Sequence, residues 1–499
     1  MTVLTTTLPQ PWAEPSLSVA TVPIAVAHGD GIGPEIMQAS LRVLRAAGAA
    51  IEEVPVTIGE AQYRAGHSSG IAPDTWAALR HTKVLYKAPI TTPQGGGYKS
   101  LNVTLRKSLG LYANVRPAAA YAPFVATRHP GMDVVIVREN EEDLYAGIEH
   151  RQTDDVYQCL KMISRPGCER IVRHAFEYAR RNGRHKVTCF TKDNIMKLTD
   201  GLFHRVFDEI GAEYPDITQN HMIVDIGAAR LADRPCDFDM IVTTNLYGDI
   251  VSDIAAEIAG SVGMAPSANI GHGGAMFEAI HGSAPDIAGR DIANPSGLLL
   301  SGVMMLVHIG QPRAAERVHN AWLRTIEDGV HTADTTPAAG GGTLVGTQGF
   351  ADAVIARLGQ MPRQLAPVHY ADAPPVAPQA EPPARVRAEK HTVGIDVFVH
   401  WDNHDAAELA ALMQPSGAGV LELTMISNRG VKVWPGGMAE TLTTDHWRCR
   451  YMACPGVALN PAVLAELQLR LARAGVAFVK TEHLCTFDGV PGFSLSQGQ

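Results

Sequence analysis

Residues 22–48, VPIAVAHGDGIGPEIMQASLRVLRAAG, carry the decision about the fold. An apolar run from Ile24 to Ala27 passes through a glycine turn into a helix-like segment from Glu35 to Gly48. Outward from there the same change of period returns: short apolar runs at Val134 to Val137, Lys186 to Phe190 and Met240 to Thr244 alternate with helix-like stretches such as Cys168 to Asn182. That alternation predicts an α/β fold. Near Gln364 the character changes. Leu365 to Arg385 is crowded with Pro and Ala and forms neither helix nor ladder strand easily, so residues 365–390 read as a linker between domains. Beyond it, His391 to Trp401 reads as a strand, Asp405 to Met413 as a helix, Val420 to Ile426 and Trp447 to Met452 as strands, Pro461 to Ala474 as a helix and Val476 to Glu482 as a strand. This βαββαβ order predicts a small ferredoxin-like α+β sandwich over residues 391–499.

With 499 residues, 46% of them hydrophobic and 19% charged, the chain has material for two or three folded units. A formal charge of -9 argues against nucleic acid or an acidic membrane as a partner, since both reward clustered Lys and Arg. The seven cysteines include no C-x-x-C pair, which fits a reducing cytoplasm. Residues 1–20 contain no Lys or Arg, so they lack the basic region of a signal peptide and read as a disordered tail. The most apolar stretch, Leu298 to Ile309, is interrupted by Ser301 and Gly302 and falls short of the roughly 20 residues that span a bilayer.

Three segments carry chemistry. His28 to Glu35 is a glycine turn between strand and helix. It lacks the G-x-G-x-x-G spacing and a clear acidic partner about 20 residues on, so plain turn geometry competes with a phosphate cradle. The second segment holds Lys87, Thr91, Thr92 and Gly95 to Gly97, then Ser100, Asn102 and Arg106, with Arg116 and Arg138 following. Ser100 at a helix start can bond a carboxylate where free N–H groups and the helix dipole favour negative charge. Three forked guanidinium groups can grip further carboxylates, which suits a tricarboxylate better than a simple 2-hydroxy acid. In the third, Asp249 and Asp253 lie one helical turn apart after Asn245. Their mutual repulsion, roughly 0.2 to 0.5 kcal/mol, would be relieved by a hard divalent cation, and Asp225 could complete the set. Helix capping is the competing explanation for such aspartates.

Together the segments GDGIGPE, TTPQGGGYKSLNVTLR, VIVRENEEDLYAGIEH, FTKDNIMKLTDG, TTNLYGDIVSD and FEAIHGSAPDIAG resemble the isocitrate and isopropylmalate dehydrogenase family, from about Ile24 to Leu358. VGIDVFVH and TMISNRGVKVWP further resemble the extra domain of the longer bacterial isocitrate dehydrogenases of the type found in Thermus. The resemblance implies a large cofactor-binding domain over residues 21–111 and 260–364, and a small domain with a dimer clasp over 112–259. It moves the dinucleotide away from the early glycines and onto His281, Gly282, Ser283, Ala284, Asp286, Ile287 and Asn294, with Lys87, Thr92 and Asn194. It implies a cytoplasmic isocitrate dehydrogenase of the tricarboxylic acid cycle, releasing 2-oxoglutarate and CO2.

On that reading Ser100, Asn102, Arg106, Arg116 and Arg138 bind isocitrate, with Tyr145 and Lys192. Asp225, Asp249 and Asp253 hold Mg2+ or Mn2+. Lys192 accepts a proton during hydride transfer and Tyr145 protonates carbon 3. Taken singly, Lys192 could be a surface lysine and Tyr145 a core tyrosine. Lys192 and Asp225 are expected to come from a neighbouring subunit, making at least a homodimer with shared sites. Asp286, where NADP-dependent relatives tend to have lysine, implies NAD, because a carboxylate accepts bonds from ribose hydroxyls and repels a 2'-phosphate. Ala293 agrees by resemblance. Homoisocitrate or tartrate dehydrogenases and a non-catalytic regulatory subunit are the alternatives. Phosphorylation of Ser100 would repel the substrate carboxylate.

Overall fold

A computed structural model describes residues 20–67, 70–92, 100–335, 337, 340–371 and 387–497. The expected N-terminal tail (except residue 20), Gly95 to Gly97 and the middle of the expected linker lie outside the described residues. The chain divides into two compact units. The first takes residues up to Asn140, Arg230–Asp239 and Ile250–Pro378; the second takes Glu141–Ala229, Met240–Asp249 and Gln379–Gln499.

In the first unit the strands run Ile51–Pro55, Val22–Ala27, Val84–Lys87, Ala275–Ala279, Pro266–Ile270, Ala113–Ala119, Asp133–Glu139 across the sheet. Pairing is parallel through Ala275–Ala279 and antiparallel from there on. The near-continuous apolar runs of the central strands follow from burial on both faces. Ile24, Val26, Tyr86 and Phe277 face a core made with Ile36, Leu44, Leu298 and Trp322. The intervening Ala25, Ala27, Leu85 and Met276 face a second core closed by Leu79, Leu101 and Leu105. The expected helix near Glu35 spans Gly33–Ala46, entered through Pro34. Residues just after Gln364 still belong to this unit: Val368 N–H donates to Asn320 at 2.9 Å, and Tyr370 packs against the core.

In the second unit, Met240–Thr243, Lys186–Thr191 and Thr218–Ile223 form parallel pairs. The Arg165–Arg181 helix starts at Ser164, whose hydroxyl accepts from Gly167 N–H at 3.1 Å. It packs on the Thr199–Gly211 helix through Phe176 and Phe207, ring centres 5.4 Å apart.

The C-terminal part of the second unit has the expected βαββαβ order with two added strands. Its antiparallel sheet runs Val431–Trp434, Leu421–Asn428, His446–Ala453, Lys390–His400, Phe478–Phe487, Val490–Pro491. The four principal strands therefore take the ferredoxin-like order. Helices Ala406–Met413 and Pro461–Arg473 cover one face, each capped by the preceding Asp405 or Asn460. The second unit also holds the hairpin Glu149–Arg151/Tyr157–Cys159. Thr153 Oγ1 donates to the buried Asp445 at 2.6 Å, and Asp155 N–H donates to it at 3.1 Å. All seven cysteines are free, and no helix among the described residues is long and apolar enough to cross a membrane.

Candidate active site

In the first unit Ser100 stands at the N-terminus of the Leu101–Ser108 helix, and its side chain makes no capping bond. Its hydroxyl stands at the positive end of the helix, where an anion is favoured. In the first turn of the same helix, Asn102 Oδ1 is buried without a partner among the described residues. A buried acceptor that nothing satisfies is uncommon, because desolvating it costs about 1 to 3 kcal/mol. It is the feature expected where a bound molecule supplies the donor.

The three arginines are not surface residues: Arg106 is 7% exposed, Arg116 4% and Arg138 1%. Arg106 is held by Glu278 at 2.9 Å, and Lys87 closes on the same carboxylate at 2.6 Å. Burial would raise the Glu278 pKa, but these two cations beside it hold the carboxyl far below the usual range. Asn269 also donates to Glu278, at 3.0 Å, and Asn140 donates to Asn269 at 3.0 Å. Arg116 donates to Asn114 at 2.5 Å and to Ser252 at 2.6 Å, and lies 3.8 Å from Asp253. Arg106 and Arg116 are thus pre-oriented by protein acceptors, which cuts the entropy cost of gripping a polyanion.

None of Asn114, Asn269 and Glu278 was singled out from sequence. The available signal was polarity interrupting an apolar strand, as Glu278 does in AMFEA.

The expected cofactor segment also lies in the first unit. His281 Nε2 is buried without a partner among the described residues, and burial lowers the ring's pKa. Gly282, Ala284 and Asp286 are exposed and Ile287 is half-buried. Ser283 is buried, sharing a hydrogen bond with Thr91 at 2.8 Å. Asn294 Oδ1 accepts from Ser296 N–H at 2.9 Å, at the start of the Ser296–His308 helix, and its amide donates to Asp334 at 3.0 Å. Thr92 is exposed, whereas Lys87 is buried in its ion pair with Glu278. The early glycine turn supports this segment. Ile32 N–H donates to Ser283 O at 2.9 Å, and a Cβ on Gly31, at φ +58°, would lie 2.0 Å from that oxygen. Close backbone packing therefore explains the glycine.

In the second unit Tyr145 donates to Asp249 at 2.5 Å, and Lys192 Nζ donates to Asp225 at 2.7 Å. The Lys192 bond holds the Asp225 carboxyl below its usual range. Lys192 follows the Lys186–Thr191 strand, Asn194 beside it is exposed, and Asp225 sits in the first turn of the Val224–Asp233 helix. Asp249 belongs to this unit and Asp253, one turn on along the Asn245–Ala259 helix, to the first. Carboxylate oxygens are the donors a hard divalent ion takes, so the residues fit Mg2+ or Mn2+. Among the described residues, the acid and imidazole groups close enough to share one cation are Asp193, His204 and His221, and His400, Asp402 and Asp445; neither set contains the three aspartates.

Residues 23–354 match the family model described as isocitrate/isopropylmalate dehydrogenase, and 390–499 match that of the bacterial isocitrate dehydrogenase C-terminal domain. The isocitrate dehydrogenase [NADP] of Rickettsia bellii is 53% identical over 481 residues, covering 96% of this chain and 99% of that one. The isocitrate dehydrogenase [NADP] of Thermus thermophilus is 44% identical over 484 residues, covering 95% of this chain and 96% of that one. The crystal structure of the TT0538 protein from Thermus thermophilus superposes with a TM-score of 0.89 at 44% identity, covering 96% of both chains.

These relatives correct the expectation of NAD. Full-length relatives at this identity are named for NADP, so the charge of Asp286 does not decide the cofactor. The physical reason is visible in the loop. Asp286 is exposed on a short turn at Pro285–Ile287, where water and salt screen its charge, and the exposed Arg290 lies on the same loop. Ala293 is 3% exposed and packed in the hydrophobic core, so its size reports packing.

Proposed function

Since the chain belongs to the isocitrate/isopropylmalate dehydrogenase family, we propose that it is an NADP-dependent isocitrate dehydrogenase, oxidising isocitrate and releasing CO2 and 2-oxoglutarate. The observation that carries this reading is Ser100, which makes no capping bond, together with Asn102 Oδ1, buried without a partner among the described residues, on the helix that also holds the buried Arg106. The Ser100 hydroxyl and the Arg106 guanidinium offer donors to a carboxylate, Asn102 Oδ1 offers an acceptor to a substrate hydroxyl, and an apolar group there would satisfy neither. Homoisocitrate, tartrate and regulatory-subunit readings have no observation of their own in their favour.

In the proposed reaction Ser100 and the arginines hold the substrate carboxylates and fix its face. Mg2+ or Mn2+ on Asp225, Asp249 and Asp253 would supply concentrated positive charge beside the substrate hydroxyl. In its neutral amine form Lys192 accepts the hydroxyl proton as hydride leaves carbon 2, and the ammonium so formed is held by its bond to Asp225. Tyr145, oriented by Asp249, delivers the proton to carbon 3. His281 Nε2, without a partner among the described residues, would bond the dinucleotide.

Initial rates with isocitrate and manganese, run with NADP and with NAD, test the reading. A kcat/KM at least about tenfold higher with NADP is expected, which corresponds to about 1.4 kcal/mol of discrimination. Turnover confined to NAD would overturn the cofactor assignment, and no turnover with either would overturn the substrate.

We also propose a homodimer with Lys192 and Asp225 serving the partner's site. Ile195, Leu198 and Ile226, beside that pair in sequence, are 66%, 46% and 50% exposed, an apolar surface suited to cover by a second copy. The C-terminal domain, joined to the Glu149–Cys159 hairpin through Asp445, is assigned an assembly role. Removing residues from Val386 onward is expected to lower the mass seen by light scattering by more than the deleted segment; a mass that falls only by that segment would refute the role.

A further inference from the structure

We infer that Lys161 is a positioning residue that holds the Lys192 segment and the Tyr145 segment of one chain in place, each for the site that it serves; this rests on the catalytic reading of those two side chains. Lys161 follows the Tyr157–Cys159 strand, outside every motif read from the sequence. Its side chain is 13% exposed, and it reaches Asp200 at 2.7 Å and Asp143 at 3.5 Å, both carboxylates fully buried. Its ammonium also lies 4.6 Å from the centre of the Tyr247 ring.

Each of those acids grips backbone that carries chemistry. Asp200 accepts from Lys192 N–H at 2.7 Å. Asp143 accepts from Leu246 N–H at 2.9 Å, at the start of the helix that bears Asp249. Asp143 itself stands two residues before Tyr145, in a backbone conformation, φ +64° and ψ −153°, that non-glycine residues rarely hold unless their surroundings force it. One cation thus ties three segments through two carboxylates.

Without that cation two buried carboxylates lose the ammonium that both of them reach, and their mutual repulsion is no longer offset. The two acids then shift apart, and their hold on the backbone of Lys192 or Leu246 loosens. The side chains on those segments then lose their aim, and misplacement on the order of 1 Å can cost about 10²-fold in rate.

The test compares the full-length enzyme with Lys161→Met and Lys161→Arg, by steady-state kinetics and by amide hydrogen exchange without ligands. For Lys161→Met the expected kcat is lower by about 10- to 100-fold with KM for isocitrate within about threefold. Exchange should accelerate in peptides covering 190–196 and 243–250 and stay unchanged in the Lys390–His400 strand. Lys161→Arg, keeping the charge, should recover most of both. Should Lys161→Met not fold, Lys161→Met/Asp143→Asn, which removes one charge of each sign, is read in the same way.

Unchanged exchange in both peptides would overturn the inference. So would exchange that rises equally in the Lys390–His400 strand, since that marks an ordinary structural ion pair. Lys192→Ala separates the two readings: turnover surviving in that variant would sink the catalytic assignment, while the exchange result would still decide what Lys161 holds.

Discussion

Replacing Lys192 with alanine is expected to lower kcat by about 10³-fold, within the range that a positioned proton acceptor contributes. The side chain is partly exposed and its ion-pair partner, Asp225, is more exposed still, so the loss should leave stability almost untouched. Activity and folding are therefore separable at this position. Lys192→Arg sharpens the result, because a guanidinium keeps the charge beside Asp225 but does not give up its proton in the accessible pH range. Recovery of less than a tenth of the lost rate in that variant assigns the effect to proton transfer. Full recovery would reduce Lys192 to a fixed positive charge, and an alanine variant within tenfold of the parent enzyme would remove it from the mechanism.

Glu278→Gln is expected to destabilise the first unit by about 3 to 5 kcal/mol, the usual consequence of leaving buried charge uncompensated. Here two cations are affected, since Lys87 and Arg106 share this carboxylate. The pH dependence has a definite sign. Glu278 has its pKa depressed in the folded protein relative to an ordinary 4.5, so its stabilisation is fully present above that value and is lost as the pH falls through and below it. Denaturation midpoints of the parent and the variant should therefore differ most at neutral pH and converge in acid. A gap that persists unchanged below about pH 4 would show that shape, and not charge, holds the cluster. KM for isocitrate should rise as well, because Arg106 loses the acceptor that orients it.

Much of this architecture was legible in the sequence. The run from Ile24 to Ala27, the turn and the following helix are formed where the pattern places them, because strand and helix periods are local properties of which faces are buried. The C-terminal βαββαβ order is legible for the same reason, and Asp405 and Asn460 mark helix starts by capping chemistry that acts over two or three residues. Ser100 was recognisable as a helix-start residue on the same grounds.

The arguments from charge fared differently. Asp286 was read by the sign of its side chain, but the strength of a charge depends on exposure and neighbours, and no local pattern contains these. Arg106 illustrates the general case. Its residue type and place on a helix follow from sequence alone, whereas its burial and its pairing with a glutamate 172 residues away arise only when the chain is packed. Lys161, Asp143 and Asp200 belong to the same class: each is ordinary in its own segment, and their meaning lies in a buried charge balance made across the fold. By itself the sequence determined the elements, their order and the candidate ligand-binding side chains, because those depend on short-range periodicity and residue chemistry. Only the tertiary structure decided which of those side chains are buried, what holds them and what charge they carry, because desolvation and Coulomb energy are set by neighbours distant along the chain.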